Sequence, residues 1–272
     1  MNNEELNKIH DLNLLIAEEI KRICEENNIK YFIIAGTLLG AIRHGGFIPW
    51  DEDMDFGMLR EDYIRFEQLC KTQLDKSRFY IQTFKNDKGY SYAFSKIRLK
   101  GTRIIEKISA GSDARKGIFV DIFPFDNVPD SPLKRKINSS ERRMLNQLIN
   151  IKLGYDVNSK SKLKRAATVF LAKVTPRRVL LTMRYRVMTR YNKKYTDNIV
   201  TAQGSYGYEK EIIPRRYLDN IVDIPYENTF FPGFADYDEY LTGMYGDYMQ
   251  LPPKDKQNKH DVLSVDFGSY AN

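Results

Sequence analysis

The sequence predicts an α/β fold of the α+β kind, a mixed sheet with flanking helices, followed by a basic helical segment. Three observations predict it. Apolar residues recur at three- and four-residue steps near the N-terminus. Short apolar or alternating runs, bounded by Gly, Pro and Asn, fill the next hundred positions, and a helical pattern returns from about residue 134.

Each element has its own signal. Leu6, Ile9, Leu12, Leu15, Ile16, Ile20 and Ile23 place an amphipathic helix over residues 3–26, ended by Asn27 and Asn28. Tyr31 to Ala35 (YFIIA) read as a short buried strand, and Gly36-Thr37 turn the chain into the brief helix LLGAIRH, which stops at Gly45-Gly46. Residues 53–58 (DMDFGM) alternate, so Asp53 and Asp55 project from one strand face and Met54 and Phe56 from the other. A helix is expected over 61–74, strands over 79–84 and 92–99, and a strand over 117–123 that Pro124 stops. Helices follow to about 198, interrupted near Gly154 and at Pro176. The last part is rich in Tyr, Gly and Pro and packs back on the core, because Phe230, Phe231, Phe234, Tyr237, Tyr240, Tyr245 and Tyr248 need burial. The expected units are a catalytic core at 1–130, a basic helical segment at 131–198 and a tail at 199–272.

Composition narrows the class. The chain has 272 residues, 42% of them hydrophobic and 29% charged, enough for a soluble protein with a sizeable core. Its first residues, MNNEELNKIH, are acidic and polar, unlike a signal peptide, and its apolar runs are too short to span a membrane. Cys24 and Cys70 match no metal spacing and read as buried small hydrophobes, so a cytoplasmic protein is expected. The net charge of +7 hides a division. Lys134 to Lys194 contain 18 Lys and Arg against Glu141 and Asp156, which gives +16 there and leaves −9 on the remainder. That segment is suited to meet a polyanion.

The chemistry concentrates at GGFIPWDEDMDFGM, residues 45–58. Two carboxylates on one strand face, about 7 Å apart at the backbone, can converge on one cation. Hard oxygen ligands suit Mg²⁺ or Mn²⁺, which binds one or two protein carboxylates together with substrate phosphates. The Gly36-Thr37 turn ahead of the acids offers backbone N–H groups and a hydroxyl to a phosphate. Asp121 lies in the apolar strand GIFVDIF, where a charge needs a partner or a metal. A strand, a Gly-Thr turn, a helix, a D-x-D strand and a later strand bearing one acid is the order of nucleotidyltransferase-like folds.

AGTLLGAIRHGGFIPWDEDMDFGM resembles the signature of the LicD family, the bacterial phosphocholine transferases related to fukutin. FSKIRLKGT at 94–102, KGIFVDIFPFDNVP at 116–129 and YDEYLTGMYGDYMQLPP at 237–253 fit the same family, whereas the basic helices do not match it. The resemblance implies a nucleotidyltransferase-like fold acting on a CDP-activated alcohol, typically CDP-choline. Phosphocholine would pass to a sugar hydroxyl of a surface glycan, often lipid-linked, with release of CMP. A diphosphate donor needs a divalent ion to neutralise charge and align the phosphorus.

On these grounds Asp53 and Asp55 are expected as metal ligands, and Asp121 as a further ligand or the base. Asp51 is expected to hold a second metal or a metal-bound water, and Glu52, one step out of phase, to face solvent. Lys96 and Arg98 share a strand face suited to clamping phosphates. Arg43 could reach phosphate, His44 reads as a local hydrogen-bonding residue, and Trp50 could cover a quaternary ammonium. Asp247 either orients part of the site or belongs to a turn, and His260 has no assignable role. Apolar residues interleaved with Lys and Arg over 160–194 point to an anionic membrane surface, against helices that simply pack on the core. Nucleic acid is not expected, since no binding motif accompanies the charge. Three other readings stay open: whole-nucleotide transfer releasing pyrophosphate, a D-x-D glycosyltransferase, and a non-catalytic, membrane-docked glycan-binding protein.

Overall fold

The computed structural model describes residues 1–155, 162–257 and 262–271; Lys160 of the basic segment and His260 lie outside the described residues. Helix α1 (Asn3–Glu26) begins at a reciprocal cap, in which the Asn2 side chain accepts from Glu5 N and the Glu5 carboxylate accepts from Asn2 N, both at 2.8 Å. Its buried stripe is the one the sequence spacing marks, from Leu6 and Ile9 to Ile20 and Ile23. Then come β1 (Phe32–Ile33), α2 (Ala35–His44), β2 (Asp55–Leu59), α3 (Arg60–Leu69), β3 (Phe79–Gln82), β4 (Ser95–Leu99), β5 (Arg103–Glu106) and β6 (Phe119–Asn127).

The main sheet runs β1-β2-β6-β4-β3. Strand β2 is parallel to β6, and the other pairs are antiparallel. Helices α1 and α3 pack on its central strands. Strand β6 also pairs with β7 (Asn198–Thr201), which carries β8 (Ile212–Pro214) at the edge. A hairpin of β9 (Ile221–Tyr226) and β10 (Thr229–Phe234), helix α7 (Tyr237–Tyr245), and β11 (Val262–Asp266), paired with β5, complete the chain.

The structure corrects three expectations. Strand β1 is only two residues long, because α2 already starts at Ala35 and takes Gly36 and Thr37 into its first turn. Asp53 precedes β2 rather than lying in it. Pro124 does not stop a strand: β6 runs through it to Asn127. On the edge away from β2, strand β4 pairs with Phe119–Ile122 and β7 with Phe125–Asn127. Pro124 falls in the gap between those neighbours, where its missing N–H breaks no ladder bond. Among the tail aromatics Phe231 and Phe234 are fully buried, but Phe230 alternates outward and is 54% exposed.

Helices α4 (Pro132–Lys152), α5 (Lys162–Val174) and α6 (Arg177–Thr189) share a second, small core of Leu145, Leu148, Ile149, Ala172, Leu180, Leu181 and Val187. Three bases of this segment turn inward and join it to the sheet domain through backbone carbonyls. Arg142 donates to Thr201 O and Met188 O, Arg177 to Phe84 O and Asp87 O, and the fully buried Arg184 to Ser91 O and Tyr92 O. Burial pulls the Arg184 guanidinium down to about 9. Part of the charge that made this segment look like a polyanion surface is therefore structural.

Candidate active site

The β1–α2 corner fixes the first acid. Asp55 N donates to Thr37 Oγ1 at 2.7 Å, and Ile34 N donates to Asp55 O at 3.1 Å, so both backbone groups of Asp55 are held. Parallel pairing of β2 and β6 sets Asp55 directly beside Asp121, and Asp121 N closes on Met54 O at 2.9 Å. Asp53, two residues before Asp55, projects to the same side. One carboxylate oxygen from each of Asp53, Asp55 and Asp121 lies within 4.8 Å of the others.

Three acids this close repel one another. Burial, then the charges of Asp55, Asp51, Glu52 and Asp121, push the Asp53 carboxyl well above its ordinary range. Burial also pushes Asp121 up, to about 6, against the pull of Lys96. The Lys96 ammonium lies 2.8 and 3.0 Å from the two Asp121 oxygens, and both side chains are buried. Lys96 answers Asp121, and three carboxylates converging within this distance form an all-oxygen donor set that fits a hard divalent cation.

Both shifts are upward, so the folded chain holds these protons more tightly than the unfolded one. Metal-free protein therefore loses stability as pH rises from the ordinary carboxylate range through about 6. A divalent cation at a hundredfold excess over Kd is expected to add about 2.7 kcal/mol of stability near pH 7.5, and to raise Tm less near pH 5, where protons compete for the carboxylates. Equal shifts at both pH values in differential scanning fluorimetry would place the ion elsewhere.

Residues 28–149, which contain all three aspartates and Lys96, match the nucleotidyltransferase domain of LicD/FKTN/FKRP. The chain carries a LicD-family domain. Over 263 residues, 92% of this chain and 93% of the relative, it is 28% identical to the lipopolysaccharide cholinephosphotransferase LicD of Haemophilus influenzae. Over 53 residues, 20% of this chain and 11% of the relative, it is 43% identical to the ribitol 5-phosphate transferase FKRP of Homo sapiens, and equally to that of Mus musculus.

The other expected residues, within the LicD domain and in the tail, are distributed differently from the acids. The Asp51 carboxylate stands outside the group of three and lies against Gly36, where an added Cβ would come within 2.8 Å of it. Glu52 does not face solvent: it is buried, with its carbonyl accepting from Asn13 Nδ2 at 2.7 Å, because α1 packs over this segment. Thr37 is buried and its hydroxyl holds Asp55, so the Gly-Thr pair builds the acid site rather than presenting a hydroxyl to phosphate.

Arg98 is also buried, donating to Gln82 Oε1 and Gly117 O. Strand β4 is covered on both faces, which removes Arg98 from a surface clamp and makes Lys96 a partner of Asp121. Arg43 donates to His44 Nε2 at 3.0 Å and to Tyr248 O at 2.8 Å, tying α2 to the tail. Trp50 is half-buried and meets His44 edge-on at 5.8 Å. Asp247 is exposed and accepts from Gln250 N in a turn.

Sequence reasoning missed the wall opposite the acids. Asp55 opens into a cavity lined by Ala35, Phe123, Tyr206, Tyr240 and Met244. Tyr240 Oη accepts from Ala35 N at 3.0 Å and so steadies Ala35, which has the left-handed φ of +49°. Tyr206 stands at the mouth, edge-on to Tyr245 at 5.4 Å. Its loop is organised by the buried Glu211, whose carboxylate accepts from Thr201 Oγ1, Tyr206 N and Gly207 N. The only sequence signal for this loop was its Gly and Tyr content; its distance from Asp55 along the chain hid the rest.

Proposed function

We propose that this chain is a Mg²⁺- or Mn²⁺-dependent transferase. It moves phosphocholine, or a related phospho-alcohol, from a CDP-activated donor to a sugar hydroxyl of a cell-surface glycan, releasing CMP. The observation that carries the proposal is the convergence of the Asp53, Asp55 and Asp121 carboxylates beside an aromatic-walled cavity. Likeness to a cholinephosphotransferase along nearly the whole chain supports choline as the donor alcohol, and the shorter likeness to a ribitol 5-phosphate transferase supports a class of related alcohols.

When bound, the cation would neutralise the donor diphosphate and polarise the phosphoryl group under attack. The protein's residues do the rest. Asp53 and Asp55 would hold the ion, with Asp55 held in turn by Thr37. Asp121 would complete the ligand set, its carboxylate held in place by the buried Lys96 ammonium and set beside Asp55 by strand register. The cavity beside Asp55 offers Tyr206, Phe123 and Tyr240 to the organic part of the donor.

Incubation with CDP-choline, Mg²⁺ and a lipopolysaccharide acceptor is expected to release CMP and transfer the phospho-alcohol. Mass spectrometry over a panel of CDP-alcohols would identify the donor. Release of pyrophosphate from a nucleoside triphosphate, with no CMP from any CDP-alcohol, would replace this reading by nucleotide transfer.

A lipid-linked acceptor would be met at the inner face of the membrane. No helix among the described residues is long and apolar enough to cross one. Helices α5 and α6 instead expose Phe170, Val174, Val179 and Met183, and the exposed Lys173, Arg178 and Arg186 lie on the same two helices, a composition suited to anionic headgroups. The protein is expected to float with phosphatidylglycerol vesicles and not with phosphatidylcholine vesicles, and Phe170→Glu with Val174→Glu to reduce flotation about tenfold. Undiminished flotation of that double variant would remove the surface from the account.

A further inference from the structure

The loop that walls the acid cavity has a second concavity on its other side. Its floor is one face of α4, where Arg142, Asn146 and Asn150, with Arg143 and Gln147 alongside, follow one another at helical spacing. Residues 201–208 close it, and Thr201, Gly204 and Glu211 border both hollows. The neighbouring α4 positions Leu145, Leu148 and Ile149 are core, so the polar stripe is not a continuation of the apolar face.

This hollow has unmet polar capacity and positive charge. Arg142 is buried, and its hydrogen-bond partners are the carbonyls of Thr201 and Met188; its Nε has no partner among the described residues. It lies over the Tyr208 ring at 5.2 Å and forms no ion pair among the described residues. The buried Asn150 Oδ1 is likewise without a partner there. The Glu211 carboxylate is turned to the loop's own N–H groups and the Thr201 hydroxyl, which leaves the arginines to set the sign of the hollow. Arg143 stands exposed at the mouth beside the half-buried Gln147. Arginine provides paired donors to phosphate or carboxylate, and side-chain amides both donate to and accept from sugar hydroxyls.

We infer that this hollow binds an acidic sugar unit, a hexose bearing a phosphate or a carboxylate, and that the unit belongs to the acceptor glycan. The inference rests on the transferase reading for the word acceptor, but the site itself needs neither donor nor metal. A glycan seated there would lie across the 201–211 loop, with one end held by α4 and the next residue directed toward the acids.

The test is a titration of the full chain in EDTA, followed by NMR or calorimetry, with glucose 6-phosphate, glucuronate, inorganic phosphate and glucose as separate arms. At least one acidic sugar is expected to bind more tightly than both inorganic phosphate and glucose. Arg143→Ala and Gln147→Ala, both at the mouth and away from the core, should each weaken it; for Arg143→Ala the loss is about tenfold, that of one charge-assisted hydrogen bond. Asp53→Asn should leave this binding unchanged. No binding of either acidic sugar at tens of millimolar, or binding indifferent to both α4 substitutions, overturns the inference. Inorganic phosphate binding as tightly as the sugars also overturns it, as an anion site only. Failure of the transferase reading would appear separately, as absence of CMP release by a protein that still binds the sugar.

Discussion

Asp53→Asn is expected to lower phospho-alcohol transfer by about 10³-fold, the equivalent of roughly 4 kcal/mol of transition-state stabilisation. The same change should stabilise the metal-free protein. Asp53 sits among Asp55, Asp51, Glu52 and Asp121, and its carboxyl is held well above the usual range by burial and by those charges. A neutral amide of the same shape removes the repulsion, so Tm in EDTA near pH 7.5 should rise by about 2–4 °C, the shift for roughly 1 kcal/mol in a chain of this size. The gain should vanish near pH 4, where the aspartate is itself protonated. A variant that keeps more than a tenth of wild-type activity, or melts lower than wild type without metal, would contradict the role given to Asp53.

The largest loss of stability is expected away from the acids, at Asp126. Its side chain is fully buried at the far end of β6. It accepts from Arg60 Nε at 2.9 Å and from the other side of the same guanidinium at 2.5 Å, and Asn192 donates to it at 2.6 Å. The pair fastens α3 to the sheet and to the loop after α6. Asp126→Ala would leave the Arg60 guanidinium buried without its anion, at a cost of about 3–5 kcal/mol and roughly 10 °C in Tm. Arg60→Met combined with Asp126→Leu should recover much of that, because the uncompensated charge is gone. Urea unfolding of the two singles and the double measures the coupling. Additive losses, with no recovery in the double, would show that the pair is not what holds these elements together.

Several features of the site were legible because they depend on local periodicity. A two-residue repeat puts Asp53 and Asp55 on one side of an extended segment whatever surrounds it, and an acid in the apolar run GIFVDIF demands a partner wherever that strand lies. The inward stripe of α1 and the breaks at Gly154 and Pro176 have the same local origin. The burial of Glu52 is not legible, because alternation says which way a side chain points from a strand, and Glu52 is not in one; α1 folding over the segment buries it. That β6 continues through Pro124 is not legible either, because the cost of a missing N–H depends on which neighbour faces it, and there the neighbours change from β4 to β7. The basic count from Lys134 to Lys194 gave charge but not direction, and Arg142, Arg177 and Arg184 point inward to carbonyls of the sheet domain.

By itself the sequence determined the class of fold, the D-x-D pair, the third acid and the family motifs that connect them. These are set by residue type and by spacings shorter than one element. Only the tertiary structure decided that Asp55 and Asp121 stand side by side, that Lys96 answers Asp121, and that a loop held by Glu211 walls the acid cavity. Those placements follow from strand register and from contacts between residues 25 to more than 150 positions apart. Pairing of that range is settled by the packing of the whole core, which no local pattern encodes.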